Sequence, residues 1–305
     1  MKCPRRCVGK NGVLAAVVLA ALLAGLFALS GCGASTLTLG TTQSFRQSGL
    51  LAQILPRFEK QYNIKVTVVA KDTASEVLKL GEEGKEDVLL VNSREGASSF
   101  MKNGLGSYNK DVMYGDLIVV GPSTDPAQIK GLDCPGKSCK KIGTAGATFV
   151  CRGDGSDLNS KVMGYWKKCG IDPTGKAWFV VTGQGMVPTL QVASEKQGYT
   201  ITDMLTWLQN EKQLNLVKLV EGCTMLFDQY TGIVVNPDKH PDKKLNTEQA
   251  EEFAEYLAGS EGQQQIGEYK KHGVVLYHPN APKSGQSSAT SMGSAPASMA
   301  GINMK

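Results

Sequence analysis

Residues 36–91 read TLTLGTTQSFRQSGLLAQILPRFEKQYNIKVTVVAKDTASEVLKLGEEGKEDVLLV, and the periodicity of this stretch decides the fold. Leu37–Gly40 is a short strand. Ser48–Tyr62 sets Leu51, Ile54, Leu55 and Phe58 at helical spacing, which gives a helix one apolar face. Ile64–Ala70 is a β-branched strand, and Thr73–Glu83 is a second helix with Val77, Leu78 and Leu80 turned inward. Val88–Val91 is wholly apolar, the pattern of a strand covered on both faces. The helix after it ends at Met101-Lys102-Asn103-Gly104, with the glycine as its cap. This alternation predicts an α/β lobe, a doubly wound sheet flanked by helices.

A second lobe follows the same grammar. Leu117–Val120, then Gly121-Pro122, is a strand leaving the first lobe. Strands Thr148–Cys151, Trp178–Val181 and Leu214–Val220 then alternate with helices Ser156–Cys169 and Gly185–Gln197. Gly232–Val235 leads back to helices Thr247–Leu257 and Glu261–Lys271 and strand Val274–Tyr277. The expected division is residues 32–120 and 232–280 in one lobe and 121–231 in the other. Two crossing strands join them, and a cleft lies between, where small ligands tend to sit.

The ends of the chain read differently. Lys2, Arg5, Arg6 and Lys10 precede the apolar run Val13–Leu29, which closes on Leu29-Ser30-Gly31-Cys32. Residues 1–31 are therefore expected to be a lipoprotein signal peptide, with Cys32 carrying the lipid. A spanning helix fits less well, because Gly25 interrupts the run and no basic stop-transfer flank follows. The protein is expected at the outer face of the cytoplasmic membrane or in the periplasm. Residues 281–305, rich in Ser, Ala and Gly, are expected to be a disordered tail. Four of the 33 basic residues and none of the 28 acidic ones lie in the signal, so the remainder is nearly neutral. No bulk field is left to attract nucleic acid, and any anion preference has to be local.

Beyond Cys32, five cysteines remain: Cys134, Cys139, Cys151, Cys169 and Cys223. In an oxidising space Cys134 with Cys139, and Cys151 with Cys169, are candidate disulfides. No Cys-x-x-Cys pair exists and the histidines lie far off, so zinc fits poorly.

Two turns carry the chemistry. Thr41-Thr42-Gln43-Ser44 to Ser48-Gly49-Leu50 clusters hydroxyls where a strand's carboxyl end meets a helix start. Free backbone N–H groups and the macrodipole favour an anion there, although taken alone the turn is more simply read as Ser44 or Ser48 capping the helix. Cys151-Arg152-Gly153-Asp154-Gly155-Ser156 repeats the device in the second lobe, with Arg152 adding a permanent charge and Ser156 again a cap or a donor. Facing one another, the two turns would enclose one small oxyanion. Gln184 and Gly185 lie in a third glycine-flanked turn and join the candidates, with helix-start packing as their alternative role. No Gly-x-Ser-x-Gly elbow, Walker loop or His-Glu-x-x-His pair suggests catalysis.

These motifs resemble the tungstate-binding lipoproteins of ABC transporters, within the type II periplasmic binding proteins. The family's Thr-Thr-Thr-Ser turn followed by Ser-Gly-Leu is matched by Thr41-Thr42-Gln43-Ser44 and Ser48-Gly49-Leu50. Further matches are Leu55-Pro56-Arg57-Phe58-Glu59-Lys60, Val119-Val120-Gly121-Pro122 and Thr182-Gly183-Gln184-Gly185-Met186. The resemblance implies a monomeric solute-binding protein, not an enzyme, that needs no cofactor. It would close on tungstate, with molybdate next, and deliver it to a membrane permease, or alternatively report it as a sensor. It adds Thr73 to the ligand set of Thr41, Thr42, Ser44, Arg152, Gly153, Ser156, Gln184 and Gly185. The chain departs from the pattern at Cys151, Asp157, Leu158 and Asn159, where the family has serine, glycine, threonine and histidine. Leu158 cannot donate to an oxyanion and Asp157 adds a negative charge, so a different anion is the alternative ligand.

Overall fold

The first expected helix, Ser48–Tyr62, begins at Leu50, and a short helix that the sequence did not announce precedes it. A computed structural model describes residues 34–281. Within it β1 (Ser35–Thr42) runs into a short α1 (Gln43–Ser48), and α2 (Leu50–Tyr62) follows. The break is Gly49, held at φ 94°, where a Cβ would meet Tyr269 Oη at 2.7 Å. The Ser48 carbonyl, freed by the break, accepts from Tyr269 Oη at 2.5 Å and Lys271 Nζ at 3.0 Å.

The chain continues as β2 (Ile64–Lys71), α3 (Ala74–Glu82), β3 (Val88–Val91), α4 (Arg94–Lys102) and β4 (Gly106–Gly121). Then come α5 (Pro135–Ala145), β5 (Phe149–Cys151), α6 (Asp157–Lys168), β6 (Phe179–Val181) and α7 (Met186–Glu195). Next are β7 (Thr200–Asp203), α8 (Met204–Asn210), β8 (Val217–Val220) and β9 (Phe227–Val235). The last described elements are α9 (Thr247–Ala258), α10 (Ser260–Glu268), β10 (Lys270–Lys271), β11 (Val274–Val275) and β12 (Tyr277–Pro279).

The two-lobed α/β architecture is organised by β4. One sheet has the order β12-β4-β9-β3-β1-β2, with β1 and β3 parallel and β9 antiparallel to both β3 and β4. At Leu117 the same strand begins to pair with β7, and at Val119 with β8. A parallel bridge from Phe149 to Tyr199 then carries the second sheet on to the parallel pair β5–β6. The crossing therefore lies within β4, and β9 rejoins the first sheet at Phe227, opposite Asp116, earlier than residue 232. The Phe227 ring stacks on Tyr114, centroids 3.9 Å apart, at this junction.

Burial follows the pattern. All four residues of β3 are at most 1% exposed, as a strand covered on both faces requires. Phe45, Phe58 and Phe253 fill the first lobe and Phe149, Trp166 and Tyr199 the second.

Two expectations are corrected. The segment after Cys134 is a helix rather than a cross-linked loop: Cys134 caps α5, and Cys139 lies buried within it. All five cysteines among the described residues are free; Cys151 bonds Asn159 Oδ1 and Cys169 bonds the Trp166 carbonyl. The expected helix to Lys271 stops at Glu268, because His272 and Gly273 take positive φ and turn β10 back onto β11. The expected signal peptide with Cys32, and the tail beyond Ala281, lie outside the described residues. No helix among the described residues is long and apolar enough to cross a membrane.

Candidate ligand-binding site

The carboxyl ends of β1, β2, β3, β5 and β7 converge on one cavity between the lobes. Its volume is about 90 Å³, well below the roughly 300–1,000 Å³ of clefts that hold drug-sized ligands. Thr42, Ser44, Thr73 and Asn92 line it from the first lobe, Arg152, Ser156, Asp157, Leu158 and Met186 from the second, and Asp116, Asp228 and Tyr230 from the crossing strands.

Each hydroxyl is placed by the helix it caps. Thr42 Oγ1 accepts from Phe45 N at 3.4 Å, Thr73 Oγ1 from Glu76 N at 3.2 Å and Ser156 Oγ from Asn159 N at 3.3 Å. Thr73 is also half of a reciprocal capping box with Glu76. The cap on α1 is therefore Thr42, and Ser44 sits exposed in the first turn, 3.3 Å from Thr42 Oγ1. A capping hydroxyl accepts with its oxygen and can turn its proton elsewhere, so Thr42 can both cap and face an anion, whereas Thr73 Oγ1 donates to Glu76 Oε2 at 3.0 Å and Ser156 Oγ to Asp154. The three helix starts also bring the positive ends of their dipoles to the cavity.

Arg152 is held by its near neighbour. Its Nε and one terminal nitrogen donate to Asp154 Oδ2 at 2.9 and 2.5 Å, while Asp154 Oδ1 accepts from Ser156 N at 3.2 Å and Oγ at 2.7 Å. Burial alone would raise the Asp154 carboxyl; the Ser156 hydrogen bonds and the Arg152 charge outweigh it and hold it below the usual range. Three guanidinium N–H groups remain to donate. Asp154 thus orients Arg152 and Ser156 together.

The cavity wall carries more carboxylates than cations, and most are occupied. Asp116 meets His278 Nε2 at 2.7 Å. Asp228 accepts from Asn92 Nδ2 at 2.7 Å and Lys161 Nζ at 3.2 Å. Asp203 caps α8 through Thr206 N at 2.7 Å, and desolvation raises its carboxyl. Asp157 accepts from Ser93 Oγ across the cleft.

Of the expected ligand residues, Thr42, Ser44, Thr73, Arg152 and Ser156 come together, whereas Thr41, Gly153, Gln184 and Gly185 stand outside the cavity lining. Thr41 is fully buried and donates to the Leu90 carbonyl at 2.8 Å, which ties β1 to β3. The Gly153 amide donates to Asn159 Oδ1 at 2.8 Å; the glycine is needed at φ 65° because a Cβ would lie 2.1 Å from Val181 Cγ1. Gln184 is exposed, with its amide on Thr182 Oγ1 at 3.2 Å, and Gly185 starts α7. Met186 is the residue of that turn that reaches the site. Sequence reasoning missed Asn92, Ser93, Asp116 and Asp228; Asn92-Ser93 was signalled by its place at the carboxyl end of the buried strand β3.

Two α/β lobes joined by crossing strands, with polar helix starts facing a small shared cavity, define a two-lobed solute-binding protein. The chain belongs to the PBP superfamily, whose domain model matches residues 30–261. It is similar to the tungstate-binding protein TupA of Peptoclostridium acidaminophilum, 38% identical over 289 residues that cover 88% of this chain and 99% of that one. Among solved structures it is similar to TupA from Desulfovibrio alaskensis G20, with a TM-score of 0.77, 37% identity, and coverage of 82% of this chain and all of that one. The tungstate ABC transporter structure from Geobacter sulfurreducens gives a TM-score of 0.67 at 40% identity, covering 77% of this chain and 98% of that one.

Proposed function

We propose that this chain is the extracytoplasmic solute-binding component of an ABC transporter, capturing tungstate, with molybdate next, and delivering it to the permease. It binds and releases without catalysing a reaction, and it uses no cofactor. The observation that carries this reading is the convergence of three hydroxyl-capped helix starts, drawn from both lobes, with the Arg152 guanidinium on one cavity of about 90 Å³. Thr42 and Ser44 turn their protons to the oxyanion, Thr73 and Ser156 do so only on releasing Glu76 and Asp154, and Arg152 supplies the full charge. Hydrogen bonds to a charged partner contribute roughly 1.5–3 kcal/mol each, enough for strong binding after the cost of ordering two lobes. In the same reading Cys32 carries the lipid anchor, the signal and tail flank the folded part, and the protein works as a monomer.

A thermal-shift panel of oxyanions tests the ligand. A ligand at a thousandfold its dissociation constant adds about 4 kcal/mol of stability. Tungstate and molybdate should both raise the melting temperature well above the effect of sulfate. Flat curves for tungstate and molybdate, with a response to another anion, favour the second reading, to which Leu158 and Asp157 on the cavity wall already point.

A further inference from the structure

One sulfur cluster lies outside the cavity and has no part in oxyanion binding. Cys134 and Cys223 are both partly exposed, on the segments by which the chain enters and leaves the second lobe. Cys134 caps α5 without a side-chain bond to the helix backbone, and its Sγ lies 3.4 Å from Met225 Sδ. Met225 belongs to the tight 3-10 turn Thr224–Leu226, which Cys223 begins; Leu226 N folds back on the Cys223 carbonyl at 2.8 Å. Tyr165 Oη donates to the Met225 carbonyl, which pins the turn against α6. The Cys134 sulfur therefore rests against the turn that Cys223 begins, two residues from Met225. We infer that Cys134 and Cys223 are a disulfide-forming pair, oxidised when the chain meets a thiol–disulfide oxidant outside the cytoplasm.

Cys139 and Cys151 are poorer partners, and Cys169, at the end of α6, gives its thiol to the Trp166 carbonyl at 3.1 Å. Cys139 and Cys151 are buried, and burial pushes both thiols up, away from the reactive thiolate. Cys139 also lies five residues along the same helix as Cys134, so the two side chains point to different faces. Burial pushes the Cys223 thiol up as well, and Cys134 is close enough to add to the effect. Cys134, whose Sγ makes no bond to the helix backbone it caps, is the attacking sulfur. Its thiolate displaces one thiol from the oxidant's disulfide to give a mixed disulfide. The Cys223 thiolate then displaces the second, so that two protein thiols become one disulfide and one oxidant disulfide becomes two thiols. The bond would enclose residues 134–223, most of the second lobe, and staple its entrance to its exit.

The test uses the full chain exposed to oxidised glutathione, alkylated, digested without reductant and mapped by mass spectrometry. The expected result is a Cys134–Cys223 linked peptide and a melting temperature several degrees above that of the reduced chain. Cys139→Ser should keep both effects. Cys223→Ser should lose both while still folding by circular dichroism, leaving Cys134 as its glutathione adduct. Recovery of Cys134 and Cys223 as alkylated or singly glutathionylated residues in the unsubstituted chain overturns the inference, as does linkage of Cys134 to another cysteine. Tungstate binding is read separately, so either result leaves the oxyanion reading to its own test.

Discussion

Ser93 Oγ donates to Asp157 Oδ1 across the cleft, joining the cap of α4 in the first lobe to the first turn of α6 in the second. A parallel link runs through Asp228, which takes Asn92 from one side and Lys161 from the other. The lobes are thus held together by side chains of their own, at the rim of the cavity that would receive the anion. Asp157 is one of the positions at which the resemblance to the tungstate-binding family implies a different residue, glycine.

Two effects of Asp157 oppose each other. The hydrogen bond to Ser93 favours the closed arrangement by about 1 kcal/mol or somewhat more. A carboxylate about 6 Å from a dianion, at an effective dielectric near 20, costs on the order of 5 kcal/mol. Repulsion wins. Asp157→Asn keeps an acceptor for Ser93 and removes the charge, so tungstate should bind at least tenfold more tightly by titration calorimetry. Unchanged or weaker binding means the carboxylate does not face the bound anion.

Arg152 is the one guanidinium on the cavity wall among the described residues, and Asp154 fixes its direction. Arg152→Ala should weaken tungstate binding more than a hundredfold, about 3 kcal/mol, by removing charge-assisted donors. Lys167→Ala, on the exposed face of α6, should change it little. Equal affinities for the two variants, by calorimetry, would remove Arg152 from the site.

Leu158 closes the same wall with an apolar side chain, at a position where the resemblance to the tungstate-binding family implies a hydroxyl. Leu158→Thr adds one donor, so tungstate affinity should rise severalfold, the return from one hydrogen bond. A fall, measured alongside molybdate and sulfate, would indicate that Leu158 sets the cavity size instead.

The periodic parts of the fold were legible. Helices and strands in residues 36–104 announce themselves because one face of each is apolar, and Val88–Val91 reads as buried for want of any polar residue. The first half of β4, Gly106–Asp116, was not legible, since Asn109, Lys110 and Asp111 interrupt the alternation and its pairing partner β9 lies more than a hundred residues away. β7 and α8 were missed for a related reason: Thr200–Asp203 is short and hydroxyl-rich, and it is a strand because it pairs with β4. At the site, turn chemistry revealed which helix starts carry hydroxyls. It did not reveal which backbone amides were already spoken for, as the Gly153 amide is by Asn159. The acidic residues of the crossing strands were invisible because only the tertiary fold brings them to the cavity.

Glu86 is 3% exposed, with one carboxylate oxygen lacking a partner. Burial, and then the neighbouring Asp87, raise its carboxyl to about 7. The unfolded chain would ionise this group near 4.5, so between about pH 4.5 and 7 the native state holds the extra proton and stability falls as pH rises. Above pH 7 the loss is complete. Glu86→Gln should abolish that decline, raising the melting temperature by several degrees at pH 8 and changing it little at pH 4.5. A variant less stable than the parent at pH 8 would mean the charged form has a partner.

His278, on β12, couples the edge of the first sheet to the crossing strand β4 at the cavity. Its Nε2 meets Asp116 Oδ2 at 2.7 Å, and its ring stacks on Tyr114 with centroids 4.8 Å apart. The Asp116 hydrogen bond raises the imidazole above its ordinary value, against the smaller opposing effect of burial. A raised basic group contributes stability that is fully present below about pH 6.5 and is lost as pH climbs through the raised value. The charged imidazole also screens Asp116 from an anion in the cavity. Tungstate affinity should therefore decline as pH rises from about 6 to 8.5, and His278→Gln should flatten that profile while lowering affinity mainly at the acidic end. Titration calorimetry at the two pH values decides it: a parent whose affinity is constant across the range, or a variant that keeps the parent's slope, rules out His278 as the titrating group.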